Sequence, residues 1–444
     1  MGAENQYIDI INAQIHAINR GSAAVMNAVR EESFAAFQRF GIPSSKSENY
    51  RHVNLSDLYL PDYGLNLGRL NLSVTKDVFR CSVSGLNTDV VYIVGDIPYI
   101  PKTEPLPEGV IIGSLREVAE SHPKLIERYY AKLSSKSSDG TVALNTTLAQ
   151  DGIILYIPKN TKLRRPLQIV NVVQSIVPVM SNRRLLVIAE NGAEASILIC
   201  DHNLSSIQTL STQVTEIFAG ENSTLQYYEI EETSPFTARV SSLFANQESC
   251  SNLLIDTITL HNGISRNNCE ITLSGQGSNI EFVGLGIGNK SQKIDNNTTI
   301  LHHAPNCESN ELFKYILDDQ AVASFRGRIV VSHGADKTRS RQTNRNICIS
   351  PDSHVYTDPQ LEIYADDVKC GHGATVGQLD ESALFYLRQR GIPDNDARMM
   401  LMLAFTDDIT DKVRLKPLKE RLCQLMEHRL RGEIDKCSTC SMCK

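Results

Sequence analysis

The sequence predicts a mainly β protein in which a repetitive core of stacked β-coils lies between two helical ends. Three observations carry this expectation. From about residue 141 to 370, clusters of Ile, Leu, Val, Thr and Tyr alternate with Gly, Asn, Asp and Ser, and no long helical period appears. A small polar turn followed by an outgoing strand recurs at Gly192, Gly220 and Gly277, with spacings of 28 (220 − 192) and 57 (277 − 220), and ANQESCSNLLI fills the gap at the expected phase. Helical periodicity returns only outside this region. A period near 28 without helices is what stacked coils give, because each coil buries its face only against its neighbours. The region has room for about eight coils at that period. One or two β-sandwiches are the alternative organisation.

The elements follow in order. Residues 1–60 form an N-terminal helical region: Ile8, Ile11, Ile15 and Ile18 recur at spacings of three and four, Phe34 and Phe37 continue the pattern, and Gly41 and Pro43 supply a stop. Residues 61–140 are a mixed connecting region, with a short strand at Val90–Val94, helix from Ser114 to Tyr130, and a Ser-rich loop or linker at 134–140. The β-coil core occupies 141–376. A C-terminal helical region, 377–436, opens with Asp380 as cap and Ala383, Leu384 and Leu387 on one side, ending at Gly391 and Pro393. Its second helix places Ala397, Met400, Leu401 and Ala404 on one stripe, and its third uses Leu418, Leu422 and Leu425. A Cys-rich tail, 437–444, closes the chain.

Composition narrows the function. The chain has 444 residues, 44 basic against 51 acidic, and a net charge of −7, which argues against a general nucleic-acid or membrane-surface binder. The longest apolar run, Met399 to Phe405, is too short for a transmembrane helix, and MGAENQYIDIINAQ lacks the basic and apolar regions of a signal peptide. Eleven cysteines, an odd and mostly scattered number, fit reduced thiols in the cytoplasm better than a disulfide framework. Cys81, Cys200, Cys250, Cys269, Cys307 and Cys348 read as core thiols of the coils, and Cys423 as helix packing. There is no G-x4-G-K-[ST], so any ATP hydrolysis belongs to another protein.

Two constellations stand apart. Cys370 and His372 flank Gly371 where strand gives way to helix, and residues two apart on a strand share a face, so sulfur and imidazole can meet one metal or substrate. Two ligands do not close a site, and nothing else in the chain offers an obvious third, so a metal here would be shared with a partner. Cys437, Cys440 and Cys443 form C-x2-C-x2-C, a spacing used by zinc and iron–sulfur sites that Cys423 or His428 would complete. The basic residues Arg326, Arg328, Lys337, Arg339, Arg341 and Arg345 have almost no aromatics among them, which fits a solvated face or an acidic partner rather than nucleic acid. Asp318–Asp319 and Asp366–Asp367 are adjacent pairs whose members point to opposite faces of a strand, unlike glycosidase carboxylates. His302, His303 and His333 read as histidines satisfied by hydrogen bonds.

The stretch LEIYADDVKCGHGATVGQLDESALFYLRQRGI resembles the C-terminal signature of the SufB/SufD family of iron–sulfur cluster assembly scaffolds. GIPSSKSENYRHVNL, ALNTTLAQDGIILYIPKNTKLRRPLQI, HHAPNCESNELFKYILDDQAVASFRGRIVV and KTRSRQTNRNICIS resemble further family segments, so the likeness covers nearly the whole chain. His372 is followed by Gly373 rather than an acidic residue, which resembles the SufD branch. The resemblance implies a right-handed parallel β-helix between helical ends and a non-enzymatic scaffold. It implies a SufB-like paralogue paired through the β-helix, with a homodimer as another assembly, and a SufC-like ATPase on the 378–430 helices. It also implies His372, with Cys370 beside it, at the paired interface as a candidate ligand for iron or a nascent cluster, with no cofactor resident in the isolated chain. The ATPase surface would take in Tyr386, Arg390, Met399, Met400 and Met402, although the methionine row by itself reads as helix packing. Two other functions remain in play: a β-helix enzyme acting on polysaccharide, and a stand-alone metalloprotein using the tail cysteines.

Overall fold

The computed structural model describes residues 2–70, 83, 85–101, 105–203 and 206–432. Its core is a parallel β-helix made of two ten-stranded sheets. From Ile153–Ile157 onward, successive strands go alternately to the two sheets, and each pairs in parallel with the strand two places on. One register column runs Thr215, Leu243, Cys269, Thr298, Gly327, Pro359. The step between partners ranges from 26 residues (269 − 243) to 32 (359 − 327), which is the period visible in the sequence. Strands ahead of residue 141 join the same sheets: Asp89–Val94 pairs with Leu167–Val173, and Ile111–Ser114 pairs antiparallel with Ile153–Ile157.

A left-handed residue marks one corner of each coil. Asn160, Gly192, Asn222, Cys250, Gly277, Asn306 and Lys337 all have positive φ. The N–H of each donates to a carbonyl in the turn of the next coil, from Asn160 to Asn191 through to Lys337 and Asp367. This ladder is the recurrent turn of the sequence, with one correction. In the second turn the left-handed position is Asn222, and Gly220 is glycine for a different reason: a Cβ there would lie 2.9 Å from the Ala189 carbonyl oxygen. Cys250 occupies such a corner and is exposed, so it is not a core thiol. Cys200 and Cys307 are buried, Cys269 and Cys348 half-buried, and Cys81 lies outside the described residues.

The lumen between the sheets is filled by alternate residues of the strands, including Leu185, Val187, Ile217, Leu243, Ile271, Phe282, Phe313 and Phe325. The outer faces are covered as well. The N-terminal helix Ala3–Arg20 packs Tyr7, Ile11 and Ile18 with Met180, Leu210 and Val240 of the first sheet. Helices Leu115–Ser121 and Pro123–Tyr129 cover Ile154, Leu186 and Ile188. The helix Lys416–Leu430 lays Leu418, Leu422 and Leu425 on Leu254, Ile258 and Val283 of the second sheet. Strands buried on both faces lose the in–out alternation of a half-buried strand.

Two helical readings need correction. Gly140–Leu148, placed by the sequence in the β-coil region, is a helix capped by Asp139, with every residue buried. A helix buried on all sides has no polar face and so leaves no amphipathic period. In the helix Asp394–Thr410 the buried face is Ala397, Met399, Met402, Thr406 and Ile409, while Met400 and Ala404 of the expected stripe are exposed. Asp380 caps its helix as expected, accepting from the N–H groups of Ser382 and Ala383.

Candidate functional site

The helical cover ends before the solenoid does. His354–Ile363 and Lys369–Gly377 are the outermost strands of the two sheets, and neither has a further strand partner among the described residues. Nearly every residue of Lys369–Gly377 is exposed, in contrast to the almost fully buried Val179–Ala189 at the other end. Two long edges with unpaired backbone groups, lying side by side, are a template for strand pairing with another chain. Large apolar side chains surround them: Tyr356, Ile363 and Tyr364 on the first edge, and Val376, half exposed at 50%, on the second.

Cys370 and His372 sit on this last strand, in register with Ser340 and Gln342. Strand alternation turns both toward the lumen side. The Cys370 thiol is half-buried and packs against the lumenal core, and burial pushes its pKa up. It is therefore a protonated thiol in this chain alone, not the activated nucleophile that a thiol beside an imidazole can be. His372 is exposed at the open end. Between and beside them, Gly371, Gly373 and Gly377 face outward, and a Cβ added to any of the three would meet nothing within 4 Å. Apart from Lys369 and Thr375, this outer strip of the edge is thus bare backbone, open to close approach. Among the described residues, no group of three His, Cys, Asp or Glu side chains is placed to hold a metal ion. One thiol and one imidazole are two donors, fewer than a closed tetrahedral metal site takes.

The helices beyond this edge carry a second exposed surface. On Glu381–Gln389, Phe385 is 62% exposed and Tyr386 is exposed beside it. The Arg390 guanidinium lies 5.1 Å over the Tyr386 ring and donates to its hydroxyl at 3.0 Å. Met400 is exposed on the next helix, whereas Met399 and Met402 turn inward against Ile316 and Ile347. Tyr386, Arg390 and Met400 are thus available to a partner, and the other two methionines pack. Cys437, Cys440 and Cys443 lie outside the described residues.

The basic run is largely paired. Arg326 binds Glu48 at 2.6 Å and also meets Asp358, Arg328 meets Glu362, Arg339 meets Glu308, and Arg345 meets Asp408. His302 bonds Ser309 and His303 bonds Ser332, as hydrogen-bonded histidines should. Sequence reasoning missed the polar side chains inside the lumen. In RQTNRNICIS, the buried polar residues are Gln342, Asn344 and Asn346, alternating with exposed Arg341 and Arg345. That amide–basic alternation is a strand signal with the usual polarity replaced, and it was the one clue available.

The fold is thus a two-sheet parallel solenoid with helical covers, ending on edge strands that carry a thiol and an imidazole. A profile described as the SUF system FeS cluster assembly SufBD core domain matches residues 171–405, and one for the SufBD protein N-terminal region matches residues 1–169. The chain belongs to the SufBD family of iron–sulfur cluster assembly proteins. It is 30% identical to an iron–sulfur cluster assembly SufBD family protein of Synechocystis over 87% of each chain. It is 28% identical to the iron–sulfur cluster assembly protein SufD of Escherichia coli, covering 89% of this chain and 90% of that one. It is 26% identical to SufD of Bacillus subtilis, covering 73% and 75%. Among the described residues, no helix is long and apolar enough to cross a membrane.

Proposed function

We propose that this chain is a non-catalytic, cytoplasmic scaffold subunit of the SUF machinery on the SufD side of the family. It pairs with a SufB-like paralogue through its terminal coil and binds a SufC-like ATPase through the helices after Gly377. The observation that carries the reading is the pair of unpaired edge strands at the open end, ringed by exposed Tyr356, Ile363, Tyr364 and Val376. Iron or a nascent cluster is then cargo held at the joint, with His372 and Cys370 supplying this chain's share of the ligands. Holding cargo between two chains fits a ligand set that the described residues of this chain leave incomplete. A protonated, half-buried Cys370 becomes a ligand only as a metal displaces its proton, which favours His372 as the first contact.

Anaerobic co-expression with the paralogue and the ATPase tests this. Val376→Asp, which sets a charge in the strand-pairing face, should lose the paralogue and keep the ATPase. Tyr386→Glu should do the reverse. His372→Ala should leave assembly intact and lower the iron and sulfide recovered with the complex. A chain that never co-purifies with the ATPase, or an unchanged iron yield in His372→Ala, sinks the corresponding part of the proposal.

A further inference from the structure

We propose that Gln342, anchored by Glu311, is a positioning residue for His372: its side-chain carbonyl, unpaired in the structure, takes an imidazole N–H when the ring turns inward and so fixes which ring nitrogen faces outward. The inference rests on reading His372 as the residue presented at the paired interface. Phe282, Glu311, Gln342 and His372 are successive register partners along the second sheet, so they form one column rising through the lumen to its open end. Glu311 and Gln342 are both fully buried, and Gln342 Nε2 donates to Glu311 Oε2 at 2.6 Å. The amide reaches across the lumen as well, since a Cβ on Gly327 of the facing sheet would stand 2.2 Å from Nε2.

An amide held by its nitrogen presents its carbonyl on the opposite side. Gln342 Oε1 is buried and accepts no hydrogen bond among the described residues. Leaving a buried acceptor without a donor is costly, so an unused one beside a site calls for a partner. The next residue in the column is His372, one strand spacing of about 4.8 Å further on. An imidazole N–H is a donor, and a carbonyl accepting from one ring nitrogen fixes the tautomer and raises the basicity of the other. Glu311 acts through Gln342, by keeping the amide from turning over. The column thus works as carboxyl, amide, imidazole, with only the last member exposed.

Carbethoxylation of the isolated full chain by diethyl pyrocarbonate, resolved by peptide mass spectrometry, tests this. The reagent reports the nucleophilicity of each imidazole, and exposed His303 serves as internal reference. Gln342→Met should slow modification of His372 relative to His303 by roughly threefold at fixed pH. Glu311→Met should slow it as well, while Glu311→Gln, which keeps an acceptor for Nε2, should restore the wild-type ratio. A wild-type ratio in Gln342→Met overturns the inference, as does equal slowing in both Glu311 variants. Should Gln342→Met fail to fold, the contrast between the two Glu311 variants decides alone. Co-purification plays no part in these measurements, so failure here leaves the pairing proposal standing, and failure of pairing leaves this result readable.

Discussion

Glu216 shows how one side chain ties the connecting region to the β-helix. It lies on a first-sheet strand, 1% exposed, and accepts from the backbone N–H groups of Ala131, Leu133 and Ser134 at 2.9–3.0 Å. Arg184, from the neighbouring coil, donates to the same carboxylate at 2.8 Å and lies over the Tyr130 ring. Ala131 has a positive φ of 58°, an unfavourable conformation for a residue with a Cβ, and these bonds hold the turn in place. The Ser-rich stretch that composition marks as a linker is therefore entered through a fastened turn. Glu216→Ala leaves Arg184 buried without its partner and should lower the unfolding free energy in urea by about 3–5 kcal/mol. Arg184→Met in the same chain should recover part of that loss, because the uncompensated charge goes with it. An additive double variant would mean that the two do not act as a pair.

At the scale of elements, a buried cation ties the helix Asp394–Thr410 to the solenoid. The Lys314 side chain is 3% exposed, and its Nζ donates to the Phe405 carbonyl and to Asp408 Oδ2, both at 2.7 Å, while lying 4.6 Å over the Phe405 ring. The bond from Lys314 holds the Asp408 carboxyl below its usual range. Lys314→Met should loosen Asp394–Thr410 by about 1–3 kcal/mol and raise amide exchange there while the coils stay protected. Unchanged exchange would show that apolar packing alone holds the helix. The coil period was readable in the sequence because parallel pairing of every second strand repeats it along the chain. Asp380 was readable as a cap because capping is local. Helix Gly140–Leu148 and the true buried face of Asp394–Thr410 were not, because one is buried all round and the other is apolar on most sides, so neither has a period that selects a face. The Cys370–His372 pair was visible as a spacing. Its exposure was not, since it follows from the strand being the last of its sheet. The Glu311–Gln342 contact joins residues 31 apart (342 − 311) on adjacent coils, beyond the reach of any local pattern.

For the whole molecule, the buried acids of the β-helix set how its stability responds to pH. Burial pushes the Glu231 carboxyl up to about 8, against hydrogen bonds from Ser265, Thr259 and Thr233, and pushes Glu311 up to about 7. Asp256 is raised well above its ordinary value by burial and then by Glu281. These groups hold their protons in the folded chain and release them when unfolded at neutral pH. Their contribution is complete below the ordinary carboxylate range and is lost as pH rises through the folded values. His302 works the other way: burial lowers it to about 4, so its neutral form costs stability only as pH falls below 6.5. Above pH 6.5 the histidine no longer contributes a slope, and the acids alone remain. Each pH unit in their window removes about 1.4 kcal/mol per group. The unfolding free energy in urea should therefore fall by at least ~2 kcal/mol between pH 6.5 and pH 8.5, the share that Glu231 alone supplies. Glu231→Gln, which keeps the hydroxyl partners and cannot ionise, should remove that ~2 kcal/mol share of the decline. A decline of the same size in Glu231→Gln would assign it to another group, and a flat wild-type profile would mean that water reaches these acids and ionises them in place.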